Sequence, residues 1–144
     1  MKNKEISFAL NSLSRRSLTK LELFKKLKDK FGEDSASNTV EKVSHLINTE
    51  QITEFECDRL SRHKFYSNSR IKMHMSRRGI SPELVEIFLQ KCIIEERRIL
   101  SFLEKKYKRD MSDKKPKIFR SLLALGYSSN LIKRCVDEYF NEFI

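Results

Sequence analysis

A helical corner that occurs twice constrains the fold of this chain more than any other feature. The stretch from Ser67 to Leu89 reads SNSRIKMHMSRRGISPELVEIFL, and its spacing recurs 47 residues later in KPKIFRSLLALGYSSNLIKRCV. Nine positions match without a gap: Ile71, Met75, Gly79, Ile80, Ser81, Leu84, Val85, Phe88 and Leu89 correspond to Ile118, Leu122, Gly126, Tyr127, Ser128, Leu131, Ile132, Cys135 and Val136. A fixed period of this length is the signature of a repeat protein.

Each copy of the corner predicts two helices that meet at a glycine. In the first copy Ile71 and Met75 lie four residues apart on one helical face, and Gly79 supplies the left-handed backbone that commonly ends a helix. Ser81 is a typical N-cap, and Pro82 is favoured at the first position of the helix that follows. The third helix of this unit therefore begins at the Ser-Pro pair.

The N-terminal part follows the same plan with weaker spacing. It predicts a short helix around 5–14 and a second helix that begins at Ser17 or Thr19, where Thr19 and Glu22 fit a capping box. Gly32 ends that helix, and the following residues, EDSASN (33–38), are expected to form a loop. A third helix is then expected to turn four apolar residues inward: Val40, Val43, Leu46 and Ile47.

The same plan accounts for the rest of the chain. A helix at about 54–65 carries Phe55 and Leu60, a helix from about Ile99 to Tyr107 opens the last unit, and 110–115 reads as a loop or frayed cap. The C-terminus is expected to pack down through Tyr139, Phe140 and Phe143. The fold class predicted is all-α: nine helices in three tandem three-helix repeats (1–50, 51–92 and 93–144) that form an elongated, curved, right-handed or solenoid-like array. The expected core triplets are Leu23/Leu27/Val43, Ile71/Met75/Phe88 and Ile118/Leu122/Cys135.

Composition agrees with this helical class. The chain has three Gly and two Pro among 144 residues, with 39% hydrophobic and 35% charged residues, and its apolar runs are too short to span a bilayer. The charged N-terminus lacks the apolar core of a signal peptide, so a cytoplasmic location is expected. Cys57, Cys92 and Cys135 are widely spaced and odd in number, which favours reduced structural thiols.

The net charge of +10 is unevenly placed along the chain. Residues 59–80 contain seven Lys or Arg and no acid, whereas residues 33–58 contain seven acids and one Lys. Basic blocks that recur with the repeat can form a stripe that binds a polyanion, although a solvated lysine-rich surface would have the same composition. The candidate nucleic-acid- or filament-binding residues are Arg15, Arg16, Lys20, Arg59, Arg62, Arg70, Lys72, Arg77, Arg78, Lys105, Lys106, Lys114, Lys115 and Lys117.

Signals for catalysis or a metal site are weak. His45, His63 and His74 have no metal-ligand spacing, and Cys57 and His63 do not share a helical face. The three glycines are spread one per unit and do not form a phosphate-binding loop. The paired acids Glu95 and Glu96 lie in the run EERR, which favours a solvated, salt-bridged surface.

Three segments in order give the sequence a resemblance to the RecX family of recombinase regulators. ALNSLSRRSLTKLELFKKL resembles the opening block of the family, RIKMHMSRRGISPELVEIFL its central block, and KIFRSLLALGYSSNLIKRCV its closing block, with Gly-Tyr in place of the usual Gly-Phe. The resemblance extends over essentially the whole chain. It departs at ITEFECDRL, where family members usually carry two acids and an Ala; here one acid is a Thr, and Cys57 replaces the Ala.

The resemblance implies a monomer of tandem three-helix repeats that binds the RecA recombinase and its filament on single-stranded DNA. Such proteins restrain the assembly and activity of the filament in recombination and DNA repair, and neither catalysis nor a cofactor comes with the family. Direct contact with DNA is left open. The alternative is a helix-turn-helix protein that binds DNA directly. Against it, the helix after the corner, SPELVEIFL, is acidic and apolar, and the basic residues precede it.

Overall fold

The fold was analysed in a computed structural model, which describes residues 3–141. These residues form nine α-helices and no strand, which confirms the predicted all-α class. The predicted packing of Phe143 lies outside the described residues. The helices are α1 (Lys4–Arg15), α2 (Lys20–Phe31), α3 (Glu33–Val43), α4 (Thr49–Arg62), α5 (Asn68–Arg77), α6 (Pro82–Leu89), α7 (Glu95–Lys106), α8 (Lys115–Ala124) and α9 (Ser129–Asn141), with 3₁₀ turns at Ser44–Leu46 and Ser112–Lys114.

The buried side chains form three clusters, each built by three consecutive helices and the turns beside them. The first cluster belongs to α1–α3, the second to α4–α6 and the third to α7–α9. We call these sets the first, second and third groups. Their buried hydrophobic members are Ala9, Leu18, Leu23, Leu27, Ala36, Val43 and Ile47; Cys57, Leu60, Ile71, Met75, Ile80, Val85 and Leu89; and Ile99, Phe102, Leu103, Ile118, Leu122, Tyr127, Ile132, Val136, Tyr139 and Phe140. The repeat boundaries at 50/51 and 92/93 stay a prediction; α4 itself begins at Thr49.

The core triplets are buried in all but two members. Phe88 and Cys135 are half-buried at the margins of their clusters. In α6 the fully inward positions are Val85 and Leu89, and in α9 the equivalent positions are Ile132 and Val136. The matched spacing therefore identifies the correct helices. The buried position lies one residue after the predicted one, at Leu89 instead of Phe88 and at Val136 instead of Cys135.

The two glycine corners have the geometry that the sequence predicts. Gly79 and Gly126 have φ values of 82° and 99°, in the left-handed region. After each of them, the amide of Ile80 or Tyr127 donates to the carbonyl five residues earlier, which is the hydrogen bond of a Schellman motif. The Ser81 hydroxyl then accepts from the Leu84 amide at 3.3 Å, so it caps α6 as expected.

The predicted loop at 33–38 is wrong, because α3 begins at Glu33. Gly32, with φ 90° and ψ 166°, ends α2, and its carbonyl accepts the amide of Ala36 in the first turn of α3. Acids in a first turn are favoured by the helix dipole. Burial of Ala36 and Thr39 in the core of the first group offsets the poor helix propensity of Ser and Asn.

Two further expectations fail around the start of the second group. Leu46 is 52% exposed, because the chain tightens into a 3₁₀ turn at Ser44–Leu46 and rotates this side chain away from the core that Val43 and Ile47 enter. The helix expected from about 54 begins five residues earlier, at Thr49, where the Asn48 side chain accepts from the Gln51 amide. A short polar N-cap is thus the signal that sets the start of α4.

Neighbouring groups join where the end of one middle helix meets the start of another. The end of α5 lies on the start of α2: the Thr19 hydroxyl donates to the Arg78 carbonyl at 2.5 Å, and a Cβ on Gly79 would lie 2.6 Å from Cβ of Leu21. The end of α8 lies on the start of α5 in the same way, with the Ser67 amide donating to the Leu125 carbonyl at 3.0 Å. Each join places the negative end of one helix dipole against the positive end of another, which is favourable.

Candidate interaction surface

Arg78 is a structural link between the first and second groups. Its Nε donates to Oε2 of Glu22 at 2.9 Å and its Nη2 donates to Oε1 at 3.0 Å, across 56 residues of sequence. Nη2 also reaches the Ser17 carbonyl at 3.2 Å, and Nη1 lies 3.6 Å from Oε2 of Glu56. With its side chain only 15% exposed, this guanidinium is occupied by the join and has little surface left for a phosphate.

Two carboxylates balance the positive charge at this join. Partial burial opposes the ionisation of Glu22, but hydrogen bonds from Arg78 and the Thr19 amide outweigh it and lower the pKa of this carboxyl. Hydrogen bonds from Arg59, at 2.8 and 3.0 Å, lower the pKa of Glu56 against the effect of its own burial, and the charges of Arg78 and His74 lower it further. Both groups are therefore held as carboxylates near neutral pH.

Four other candidate residues also form ion pairs. The Arg59 pair is the bidentate one with Glu56, and Arg62 Nη2 lies 3.2 Å from Asp58 Oδ1. Lys72 Nζ lies 2.6 Å from Glu86 Oε2, and Lys115 Nζ lies 3.5 Å from Asp137 Oδ1. The Arg62, Lys72 and Lys115 pairs are exposed enough to add little stability, and a competing anion can displace their internal partners. In the Arg59 pair, by contrast, the Glu56 side chain is only 11% exposed.

The next candidates pack against rings, a sulfur atom or the backbone. Arg70 donates through Nη1 to the Ala124 carbonyl and stacks over Tyr66, so it links the second and third groups. Lys105 and Lys106 lie over the rings of Phe65 and Phe102, at 5.8 and 4.9 Å from the centroids. The exposed Arg77 contacts the sulfur of Met73 at 3.5 Å.

The remaining five candidates are exposed, and their side chains make no hydrogen bond or ion pair with any residue in 3–141. They are Arg15, Arg16, Lys20, Lys114 and Lys117. Lys114 and Lys117 lie at the start of α8, where a cation faces the positive end of the helix dipole. These unpaired charges, in the first and third groups, are the part of the basic surface best able to accept phosphates, and the binding role of all fourteen residues remains a prediction.

The structure brings three of the candidates into one cleft, of about 690 Å³, between the first and second groups. Arg16, Arg59 and Arg78 line it together with His74, whose Nε2 lies 3.4 Å from Glu56 Oε2. The other lining residues are Ser17, Glu22, Gln51, Ile52, Phe55 and Glu56. The other candidates do not line this cleft.

Sequence reasoning missed the environment of two residues, Arg98 on α7 and Phe55 on α4. Arg98, in the run read as a solvated surface, is 1% exposed; it donates to the Ile93 carbonyl at 2.8 Å and to the Tyr66 carbonyl at 3.0 Å. Its position four residues before the buried Phe102 is the signal that could have placed it on the inward face. Phe55, in contrast, is 67% exposed.

The described residues carry no sign of a metal or membrane site. In 3–141, no cluster of three His, Cys, Asp or Glu side chains is arranged to hold a metal ion, and no helix in that range is long and apolar enough to cross a membrane. Burial raises the pKa of the Cys57 thiol to about 12, which keeps it protonated and unreactive. Cys57 therefore behaves as part of the core of the second group.

Comparison with known proteins identifies the fold. No protein-family model matches the sequence, and no curated protein matches it. Among solved structures, the chain is similar to the crystal structure of RecX from Lactobacillus salivarius, with a TM-score of 0.77 and 26% sequence identity. The match covers 98% of this chain and 96% of the RecX chain. The chain therefore has the RecX fold along its whole length, and its resemblance to the RecX family is confirmed by structure.

Proposed function

We propose that this protein binds the RecA recombinase in its filament on single-stranded DNA and restrains the filament during recombination and DNA repair. The observation that carries the proposal is the whole-length structural likeness to RecX, with a TM-score of 0.77 and almost complete coverage of both chains. The protein is proposed to act in the cytoplasm as a monomer, without catalysis of its own.

The construction of the chain suits a partner that repeats along an axis. Three helical groups, each with its own buried cluster, are joined by the same kind of end-to-end contact at Gly79 and Gly126. A filament presents the same protein surface at regular intervals, and a row of similar modules can follow such a surface. Linked contacts of this kind raise the overall affinity because the later contacts are intramolecular.

The unpaired basic residues offer the filament a second kind of contact, with the phosphates of its DNA. The side chains of Arg15, Arg16, Lys20, Lys114 and Lys117 are exposed and form no ion pair with another residue in 3–141. DNA phosphates within the filament can neutralise it with release of counterions, so this contribution is expected to weaken as salt rises, with a log–log slope of about −0.7 per phosphate on a single strand.

The decisive test combines sedimentation with charge reversal. The wild type is expected to co-sediment with RecA filaments and to slow their ATP hydrolysis and strand exchange. Lys114→Glu/Lys117→Glu and Arg15→Glu/Lys20→Glu are expected to weaken both effects and to reduce the salt dependence. Lys42→Glu/Lys133→Glu, which reverses two exposed lysines outside the candidate set, is the matched control.

Two results would reject the proposal. A wild type that neither sediments with RecA filaments nor slows their ATP hydrolysis is not a RecA regulator. A wild type that ignores RecA but holds duplex DNA with sequence preference is a helix-turn-helix protein. The helix after the central corner argues against that second result, because in α6 Glu86 pairs with Lys72 and Ile87 is exposed.

A further inference from the structure

Phe55 is the most exposed large hydrophobic side chain among the described residues, at 67%. It projects from α4 between two depressions. On one side is the cleft between the first and second groups, and on the other is a hollow of about 480 Å³ that Phe88, Lys91 and Cys92 also line. An aromatic ring left in water gains nothing from folding, whereas covering it would contribute through both its apolar area and its ring geometry.

The rim around Phe55 carries both signs of charge. The cleft side presents Arg16, which is exposed and forms no ion pair among residues 3–141, together with Arg59. The hollow side presents Glu54, the residue before Phe55, and Asp58, three residues after it on the next turn of α4. An aromatic anchor within a polar, mixed-charge rim is the usual anatomy of a protein–protein contact.

The hollow side of this rim is less suited to nucleic acid than a uniformly basic surface. There the phosphates of a base stacked on Phe55 would meet Glu54 and the Asp58–Arg62 pair, with Lys91 as the cation that lines the hollow. Four of the five unpaired basic residues, Arg15, Lys20, Lys114 and Lys117, do not line either depression. Most of the unpaired positive charge therefore lies away from Phe55, and Arg16 is the member of that set beside the ring.

We propose that Phe55 and this rim form the surface through which the protein contacts its protein partner directly. The occupant is a protein surface with an apolar pocket for the ring, an acidic group opposite Arg16 and a basic group opposite Glu54 or Asp58. The inference rests on the proposed function, in which this partner is a RecA subunit of the filament. It assigns the protein contact to α4 and Arg16, and leaves the phosphates to Arg15, Lys20, Lys114 and Lys117.

The test compares Phe55→Ala with Leu123→Ala, which truncates another exposed side chain, on α8 in the third group. Affinity is measured for RecA filaments on single-stranded DNA and, separately, for the same DNA without RecA. Truncation of an interface anchor is expected to weaken filament binding at least tenfold. Binding of free DNA, the urea midpoint of unfolding and the Leu123→Ala variant should stay at wild-type values. Reversal of the rim in Glu54→Lys/Asp58→Lys should weaken filament binding independently.

The outcomes separate this inference from the function on which it rests. If the wild type binds filaments and both the Phe55→Ala and the rim variants bind as tightly, the inference is overturned and the proposed function stands. Equal weakening of free DNA by Phe55→Ala overturns it in favour of base stacking. A dimer of the free wild type that Phe55→Ala abolishes overturns it in favour of self-association. A wild type that does not bind filaments overturns both.

Discussion

Arg77 and Arg78 are neighbours in sequence with different physical roles. Arg77 ends α5 exposed to solvent, whereas Arg78 reaches Glu22 in the first group and Glu56 in its own group. In the sequence Arg77 and Arg78 look equivalent, as two cations before a glycine. Nothing local indicates that Glu22, 56 residues earlier, lies within hydrogen-bond distance of Arg78. Such a pairing is a property of the join and is visible only once the groups are assembled.

We predict that Arg78→Gln lowers the free energy of unfolding by about 1–3 kcal/mol, because it leaves the part-buried carboxylate of Glu22 without its hydrogen-bonding cation, while Glu56 keeps Arg59. Arg77→Gln, the matched control, should change it by less than about 0.5 kcal/mol. Urea denaturation followed by circular dichroism measures both. Equal effects of the two substitutions would contradict the structural role of Arg78. A smaller loss for Arg78→Gln in a Glu22→Gln background would locate the coupling in that pair.

At the scale of the helix, the sequence predicts what local patterns determine. Spacing of Ile71, Met75 and Gly79, with the Ser-Pro pair that follows, correctly predicts α5, its corner and α6. The sequence-based prediction fails where the packing of the helices overrides local preference. The Ser- and Asn-containing stretch forms α3 because one face of that helix is buried in the first group. Leu46 turns outward because the end of α3 tightens into a 3₁₀ turn.

Met75 tests the helix-level account with a control on the same helix. Met75 is 0% exposed in the second cluster, whereas Met73 is 52% exposed. Met75→Ala is expected to lower the free energy of unfolding by about 2–5 kcal/mol, since it removes buried apolar atoms and leaves a cavity. Met73→Ala should stay within about 0.5 kcal/mol of the wild type in the same denaturation experiment. A similar cost for both would mean that the inward face of α5 is misassigned.

Across the whole molecule, some basic residues hold the groups together, some form pairs within one group, and others remain unpaired. Arg78 and Arg70 stabilise the two joins, while Arg15, Lys20 and Lys117 face solvent. The order of residues shows which stretches of the chain are basic, such as 59–80. It cannot separate the joining residues from the unpaired ones, because the partners of the joining residues lie in other groups. Nor does it reveal that Phe55, on a helix with a buried face, points outward.

The join between the first and second groups should make the whole molecule sensitive to acid. Glu22 and Glu56 each have a pKa below the ordinary value of 4.5 in the folded state. A carboxyl with a lowered pKa binds a proton more weakly when folded than when unfolded, so its contribution to stability is complete above the unfolded pKa. That contribution is lost as the pH falls from about 4.5 through the folded pKa values.

We therefore expect the urea midpoint of unfolding to fall steeply below about pH 4.5. Glu22→Gln and Glu56→Gln should each lower the midpoint at pH 7 and flatten its dependence on pH, because the titrating group is gone. Glu54→Gln, which alters an exposed carboxyl in the middle of α4, is the control and should follow the wild-type curve. Parallel curves for the wild type and both variants between pH 7 and pH 3 would show that these two carboxylates do not stabilise the join. Curves that converge at low pH would show that they do, since protonation and substitution then remove the same interaction.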